Sequence, residues 1–259
     1  MYLGEQTWTA VADLTDRVVV VPLGSLEQHG HHLPLLTDTM IGTEVARRAE
    51  AELGDEAVFL PMLWLGASNH HRTFPGTVSL GNELYVRVLC DLLESLIAAG
   101  FRRIYLLTAH GGNVLPGNMA IYETQMRHRD LPELWLALSS WWGVAAAQIA
   151  ALPEVEQPSV THACELETSM ILRVRPELVH MDQARGATIP FTSAFYVPDF
   201  HAPSRVDVAR SFEQLSATGA FGHPEIATPE KGEALYATAV AEIVAFVRDF
   251  ATWPPIIPQ

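Results

Sequence analysis

Residues 17–23 read Arg-Val-Val-Val-Val-Pro-Leu. The run is apolar almost throughout and dense in β-branched side chains, which suit a pleated strand. Polar residues do not alternate within it, so it predicts a strand buried on both faces, as in a parallel sheet. Ala57–Pro61 (AVFLP), Arg103–Ala109 (RIYLLTA) and Leu134–Ser139 have the same character. Helical periodicity fills the intervals: Asp38–Leu53 ending near Gly54, Asn82–Ala99 stopped by Gly100, and Val114–His128. Glu165–Val174, closed before Pro176, and Glu230–Phe250 read as two further helices. Strand and helix alternate along the first half, which predicts an α/β fold: three layers, α/β/α, with a mostly parallel central sheet.

From Val174 to Thr228 the periodicity weakens, and Pro190, Pro198, Pro203, Gly219 and Gly222 interrupt the stretch. It predicts a long excursion of loops and short strands, over an active site or at a subunit contact. Repeats, low-complexity tracts and linkers are absent from the 259 residues, so the expectation is a single domain over 1–259. The composition, 49% hydrophobic and 18% charged, suits a well-buried core.

A net charge of −14 without any Lys/Arg cluster excludes a nucleic-acid-binding surface. Apolar runs stay below the ~18–20 residues that span a bilayer, and the N-terminal stretch has no basic-then-apolar leader pattern. The two cysteines, Cys90 and Cys164, are too few for a disulfide framework. The expectation is a cytoplasmic protein acting on a small molecule, with neither nucleic acid nor membrane as partner.

Chemistry-bearing residues gather where the strands end. Just past the first strand, residues 22–38 (PLGSLEQHGHHLPLLTD) offer Glu27, His29 and Asp38. Carboxylates and imidazoles are the ligands of divalent metals that activate water. Taken singly, Asp38 also reads as a helix N-cap and the histidine run as a polar loop. Residues 108–113 (TAHGGN) follow another buried strand, so His110 falls at the same sheet edge, where open α/β sheets bind ligands. The Gly111-Gly112 pair also reads as turn chemistry, but the Lys-Ser/Thr of a phosphate loop does not follow. Residues 161–169 (THACELETS) hold His162, Glu165 and Glu167. A helix starting near His162 would put His162 and Glu165 on one face at i,i+3, with Glu167 pointing elsewhere. Residues 69–77 (NHHRTFPGT) place polar groups, His71 among them, before a Pro-Gly turn.

Four of these blocks in this order, PLGSLEQHGHHLPLLTD, SNHHRTFPGT, TAHGGN and HACELETSM, resemble the creatininase (creatinine amidohydrolase) family, with a weaker echo in GHPEIATPEKG. The resemblance implies an α/β/α fold and hydrolysis of cyclic or linear amide-type C–N bonds. It also implies two divalent ions per subunit, typically zinc, manganese or iron, and a homo-oligomer, often a hexamer built from dimers. Relatives are associated with formamide hydrolysis, peptide trimming in cofactor maturation and opening of inosose-type rings. Carried over by motif, Glu27, Asp38 and His110 bind one metal, and His29 and Asp38 the other, with Asp38 bridging. Creatininase has a glutamate ligand two residues after the histidine matched by His110, where this chain has Gly112. Relatives with the same HGGN pattern carry a glutamate in the later block, so Glu165 is expected to replace it, with Glu167 as the competing choice. The same departure makes creatinine a less suitable substrate. His162 is expected to carry the proton to the leaving nitrogen, its ordinary pKa of roughly 6.5 suiting acid–base work. Substrate contacts are expected from His71, Asn113 and Trp141, with Tyr196, Phe200, His201 and Arg205 of the excursion as further candidates.

Overall fold

The computed structural model describes residues 1–187, 191, 193–198 and 204–257. Four strands, β1 Val18–Leu23, β2 Ala57–Phe59, β3 Arg103–Thr108 and β4 Trp135–Ser140, pair in parallel in the order β2-β1-β3-β4. Five longer helices are α1 Thr37–Leu53, α2 Asn82–Ala98, α3 Val114–Arg127, α4 Glu165–Val174 and α5 Pro229–Phe250. The element ends move by one or two residues from those expected, as helix fraying and strand ends allow.

Every residue of β1 is buried, and its side chains divide between two cores. Val18 and Val20 join a cluster with Ile41 and Val45 of α1, Met170 of α4 and Ile243 of α5. Val19, Val21 and Leu23 join a second with Leu89 and Leu93 of α2 and Ala120 of α3. The period-2 alternation of a strand feeding two apolar faces makes the three layers. Pro22 sits in this central strand without disrupting the β1–β3 ladder. Its carbonyl accepts from Leu63 N on the β2 side, and β2 has already ended at Phe59. The missing amide of proline therefore falls where no partner strand remains.

The strand order reverses between β1 and β3. The chain leaves β1 toward α1 on one face and leaves β3 toward α3 on the other. Their carboxyl ends thus part into a crevice, the topological switch point at which open α/β sheets place ligands.

The excursion differs from expectation. Its described residues form single 3-10 turns at Pro176–Leu178, Met181–Gln183, Phe212–Gln214 and Pro224–Ile226, with an isolated bridge between Ala187 and Phe221 instead of strands. Pro190 and Pro203 lie outside the described residues. Cys90 and Cys164 are buried free thiols, and among the described residues no helix is long and apolar enough to cross a membrane.

Helix α4 carries part of the crevice, and its seat against α5 requires a glycine. A Cβ on Gly232 would lie 2.1 Å from the Ser169 carbonyl oxygen. Gly232→Ala is expected to destabilise the fold by about 1–3 kcal/mol through forced separation of the helices. Denaturant unfolding checks this; an unchanged midpoint would show that the contact yields freely.

Candidate metal centre

Glu27 follows β1 and is fully buried, with no hydrogen-bond partner on either carboxylate oxygen. Imidazoles surround it instead: His110 Nε2 lies 3.2 Å from Oε2 and His71 Nε2 3.3 Å from Oε1. Burial pushes the Glu27 carboxyl up to about 7, with His110 opposing. Asp38 lies in the first turn of α1, whose N-cap is Leu36, so its side chain caps nothing. It accepts from Ser25 Oγ at 2.6 Å and contacts His29 Nε2 at 3.0 Å and His110 Nδ1 at 3.1 Å. Burial alone would raise Asp38; His29 and His110 outweigh it and hold the carboxyl well below its ordinary range. Burial likewise works against His29, but the Asp38 carboxylate lifts it to about 10. Asp38 thus joins imidazoles from the loops after β1 and after β3.

The ring orientations follow from backbone partners. His29 Nδ1 lies 3.2 Å from the Glu27 carbonyl, to which it donates, leaving Nε2 for Asp38. A backbone acceptor on one ring nitrogen is the device that aims the other at a metal. His110 Nε2 lies 3.2 Å from the Ala67 carbonyl and 3.2 Å from Ser68 Oγ, with Nδ1 turned to Asp38.

Gln28, to which the sequence motifs assign no role, organises the next layer. Its amide donates to the Gly219 carbonyl at 3.0 Å and to His71 Nδ1 at 2.9 Å, and its Oε1 accepts from Gly30 N. Gln28 Nε2 also lies 3.0 Å from His162 Nε2, but with both amide hydrogens placed on Gly219 and His71 that ring nitrogen carries the proton and donates to the Gln28 backbone carbonyl at 3.0 Å. His162 Nδ1 is left as an acceptor, 3.9 Å from Glu27 Oε1. Burial holds both His71 and His162 below their ordinary pKa, in the neutral form this network needs.

The glutamate expected to complete the site is not the one at the cluster. Glu165 is fully buried but turned away: it accepts from Glu156 N and Gln157 N and from Lys231 Nζ at 2.7 Å. Glu167 takes its place, with a carboxylate oxygen within 4.8 Å of ligand nitrogens of His29 and His162. Burial raises its carboxyl to about 7, and its Oε2 has no hydrogen-bond partner. The physical reason lies at the helix start. Ala163 takes φ +47°, Cys164 is the N-cap and α4 begins at Glu165. His162 is outside the helix, so no i,i+3 relation links it to Glu165. Residues two apart on a helix lie about 200° apart around its axis, so if one glutamate faces the cluster the other cannot.

Gly112 explains why a glutamate does not stand there. A Cβ at this position would meet the Ala67 carbonyl oxygen at 2.3 Å and His110 Nε2 at 2.4 Å. No side chain fits without displacing His110.

A cavity of about 490 Å3 opens over these groups, lined by Glu27, Asp38, His70, His71, His110, His162 and Glu167. Trp142, Val160, Val208, Arg210, Phe212 and Leu215 also line it, with the Phe212 ring against those of His71 and His162. His71 belongs to this lining as expected. Asn113 does not: its amide donates to the Gly24 carbonyl at 2.9 Å and its oxygen accepts from Ala67 N, so it ties the strand-end loops together. Trp141 does not either. It is buried in the core, edge-on to Trp142, and Trp142 is the indole at the cavity. Tyr196 and Arg205 are absent from the cavity lining, and Phe200 and His201 lie outside the described residues. The sequence motifs do not single out Arg210 or Phe212, which carry no local periodic signal. His70 stands in the Asn69–Phe74 stretch and Trp142 in the Trp141-Trp142 pair, both of which the sequence offers as substrate contacts, and both line the cavity.

The donor set fits divalent cations. Carboxylates of Glu27, Asp38 and Glu167 face imidazoles in four overlapping clusters whose ligand atoms lie within 4.8 Å. Unpaired oxygens of Glu27 and Glu167 remain for a cation, and the basic groups in contact with Glu27 and Asp38 are imidazoles.

Comparison with known proteins places this arrangement. A family model described as "Creatininase: Creatinine amidohydrolase" matches residues 4–247. The chain is 32% identical over 252 residues to a mycofactocin precursor peptide peptidase of Mycobacterium tuberculosis, covering 93% of this chain and 87% of the relative. It is 27% identical to a creatinine amidohydrolase of Pseudomonas putida, with 98% of each covered. The solved structure described as "Creatininase Mn" superposes with a TM-score of 0.73 at 27% identity, over 96% of this chain and 97% of that one.

The Lys231–Glu165 pair is expected to be structural. Lys231→Met strands a buried carboxylate and should lower stability by about 3 kcal/mol or more. Combining it with Glu165→Gln should cost less than the sum of the two single changes. Chemical denaturation of the four proteins checks the cycle; additive losses would break the pairing.

Proposed function

The chain belongs to the creatininase family of hydrolases, and from that premise we propose metal-dependent hydrolysis of an amide-type C–N bond at two divalent ions. The observation that supports it most is the buried set of Glu27, His29, Asp38, His110 and Glu167, facing a cavity large enough for a small substrate. In this reading Glu27, Asp38 and His110 would hold one ion, and His29, Asp38 and Glu167 would hold the other. Zinc and manganese suit the mixed carboxylate and imidazole donors. When bound, such ions lower the pKa of water toward ~7 and polarise a carbonyl.

The protein's own groups handle the proton. Hydrolysis takes a proton from the attacking water and needs one at the nitrogen as the C–N bond breaks. His162 Nδ1 is an unoccupied acceptor at the cavity, its ring set by the bond from Nε2 to the Gln28 carbonyl. It takes the first proton and supplies the second. His71 is held between Gln28 and Glu27 and turns Nε2 toward the Glu27 carboxylate, so it orients that side chain. The apolar wall of Trp142, Val160, Phe212 and Leu215 excludes water from the substrate's far side. An amide within a short peptide is the second reading, favoured by the 32% identity to a peptidase.

A homo-oligomer is the expected assembly, and α3 offers a surface for it. Leu115, Met119, Tyr122 and Met126 are exposed at 4-3-4 spacing, one apolar stripe along the helix. A second copy of this stripe is the occupant that matches it in length and character. Met119→Glu with Tyr122→Glu should lower the mass in light scattering; an unchanged mass would place the interface elsewhere.

Metal analysis separates the two glutamates. Glu167→Gln should lose about one equivalent of metal, while Glu165→Gln should retain both, and full occupancy in Glu167→Gln would remove it from the ligand set. His162→Asn should reduce kcat roughly 10²–10⁴-fold with metal content intact; unchanged turnover would exclude it as the proton carrier.

A further inference from the structure

Arg210 lines the same cavity as the carboxylate and imidazole cluster. Among the described lining residues it is the only lysine or arginine, in a chain with 16 such residues against 30 acidic ones. It is exposed and makes no hydrogen bond or ion pair with another described residue. Other arginines of the surrounding loops are committed to the protein. Arg72 donates to the Ser79 carbonyl, Arg185 to that of Ala184, and Arg205 covers the Phe195 ring. Its wall is otherwise apolar, with Val208, Phe212 and Leu215 close in sequence and Trp142 and Val160 from elsewhere.

We propose that Arg210 is a specificity-determining residue that binds a carboxylate on the substrate, selecting amides whose body is apolar and which carry one free carboxylate. A guanidinium forms a planar fork of donors matched to a carboxylate, and a partly apolar wall strengthens the pair by excluding water. One guanidinium without a neighbouring lysine or arginine balances one negative charge. A phosphate dianion would leave charge uncompensated above a cluster already rich in carboxylates. N-acyl amino acids and short peptides with a free C-terminus have this chemistry, with the scissile amide and the carboxylate in one molecule. The assignment of the carboxylate to a substrate rests on the hydrolase reading above, whereas the anion site itself does not.

Two experiments separate these. First, metal-loaded protein is titrated calorimetrically with 4-phenylbutanoate and with 4-phenylbutanol, which share an apolar body and differ in the carboxylate. Arg210→Gln should weaken the acid roughly 10–100-fold, the range for hydrogen bonds to a charged group, and leave the alcohol within about twofold. Any direct contact of the acid with metal is common to both proteins and cancels in the comparison. Equal affinity of the acid for wild type and Arg210→Gln overturns the proposal, as does an Arg210-dependent preference for phenyl phosphate over the acid. Second, kcat/KM is compared for N-acyl amino acids and their carboxamides. Arg210→Gln should erase the preference for the free acid, with KM carrying most of the change, and Arg210→Lys should restore part of it. Cleavage of both substrates with no Arg210-dependent discrimination also overturns the proposal. Arg210-dependent binding of the acid in a protein that cleaves no amide would instead sink the hydrolase reading and leave the anion site standing.

Discussion

Three carboxylates, Glu27, Asp38 and Glu167, are buried at one edge of a parallel sheet without a lysine or arginine among them. Each ionised carboxylate taken out of water costs several kcal/mol unless positive charge compensates it. Glu165 shows the alternative solution on the same helix turn. It too is buried, but Lys231 and two backbone amides satisfy it. The contrast separates the two glutamates: Glu165 is satisfied within the protein, and Glu167 keeps an oxygen without a hydrogen-bond partner. Imidazoles hold the cluster together through contacts of 3.0–3.3 Å around Glu27 and Asp38. The imidazoles do not satisfy it fully: both oxygens of Glu27 and one of Glu167 keep no hydrogen-bond partner, as the donor set of a cation site would.

The sheet order makes that burial feasible. With β1 and β3 adjacent and their following segments leaving on opposite faces, the loops after both strands open into one crevice. Glu27 and His29 arrive from the first loop, His110 from the second, and Asp38 from the first turn of the returning helix. A carboxylate at a helix N-terminus is also favoured by the helix dipole, by roughly 0.3–1 kcal/mol. Asn113 binds the strand-end loops to one another through the Gly24 carbonyl and the Ala67 amide, and so keeps the crevice in register. Its value is positional, which is why a polar residue inside a chemistry-bearing block faces away from the cavity.

What is legible in the sequence follows a physical divide. The strands are apolar runs with local signals, and residues immediately past their ends inherit their place from the sheet. The convergence of Glu27, His29, Asp38 and His110 therefore follows from their places in the chain. The choice between Glu165 and Glu167 does not, because it depends on where α4 starts. Ala163 at φ +47° sets that start, and the Lys231 that claims Glu165 lies 66 residues away. Trp141 and Trp142 differ only in which side of a short helical turn each occupies, again a long-range outcome. Arg210 and Phe212 lie in an aperiodic segment whose path is dictated by tertiary contacts such as Phe212 against the His71 and His162 rings.

The same divide runs through the site itself. One wall is built from strand ends and helix starts, with side chains locked by Gln28, Ser25, Ser68 and backbone carbonyls. Further lining residues come from the segment around Val208–Leu215, where the single 3-10 turn Phe212–Gln214 is the regular structure among the described residues. Ligand geometry tolerates little displacement, so it belongs on the rigid scaffold. The segment is not independent of that scaffold, since Phe212 rests on the His71 and His162 rings. Gly112 marks the boundary between the two. Its lack of a side chain lets His110 and the Ala67 carbonyl approach closely, and the further carboxylate near the cluster comes from Glu167 on α4. Helix α4 in turn is seated by Gly232 of α5, so the position of Glu167 is a property of helix packing and not of the segment around Val208–Leu215.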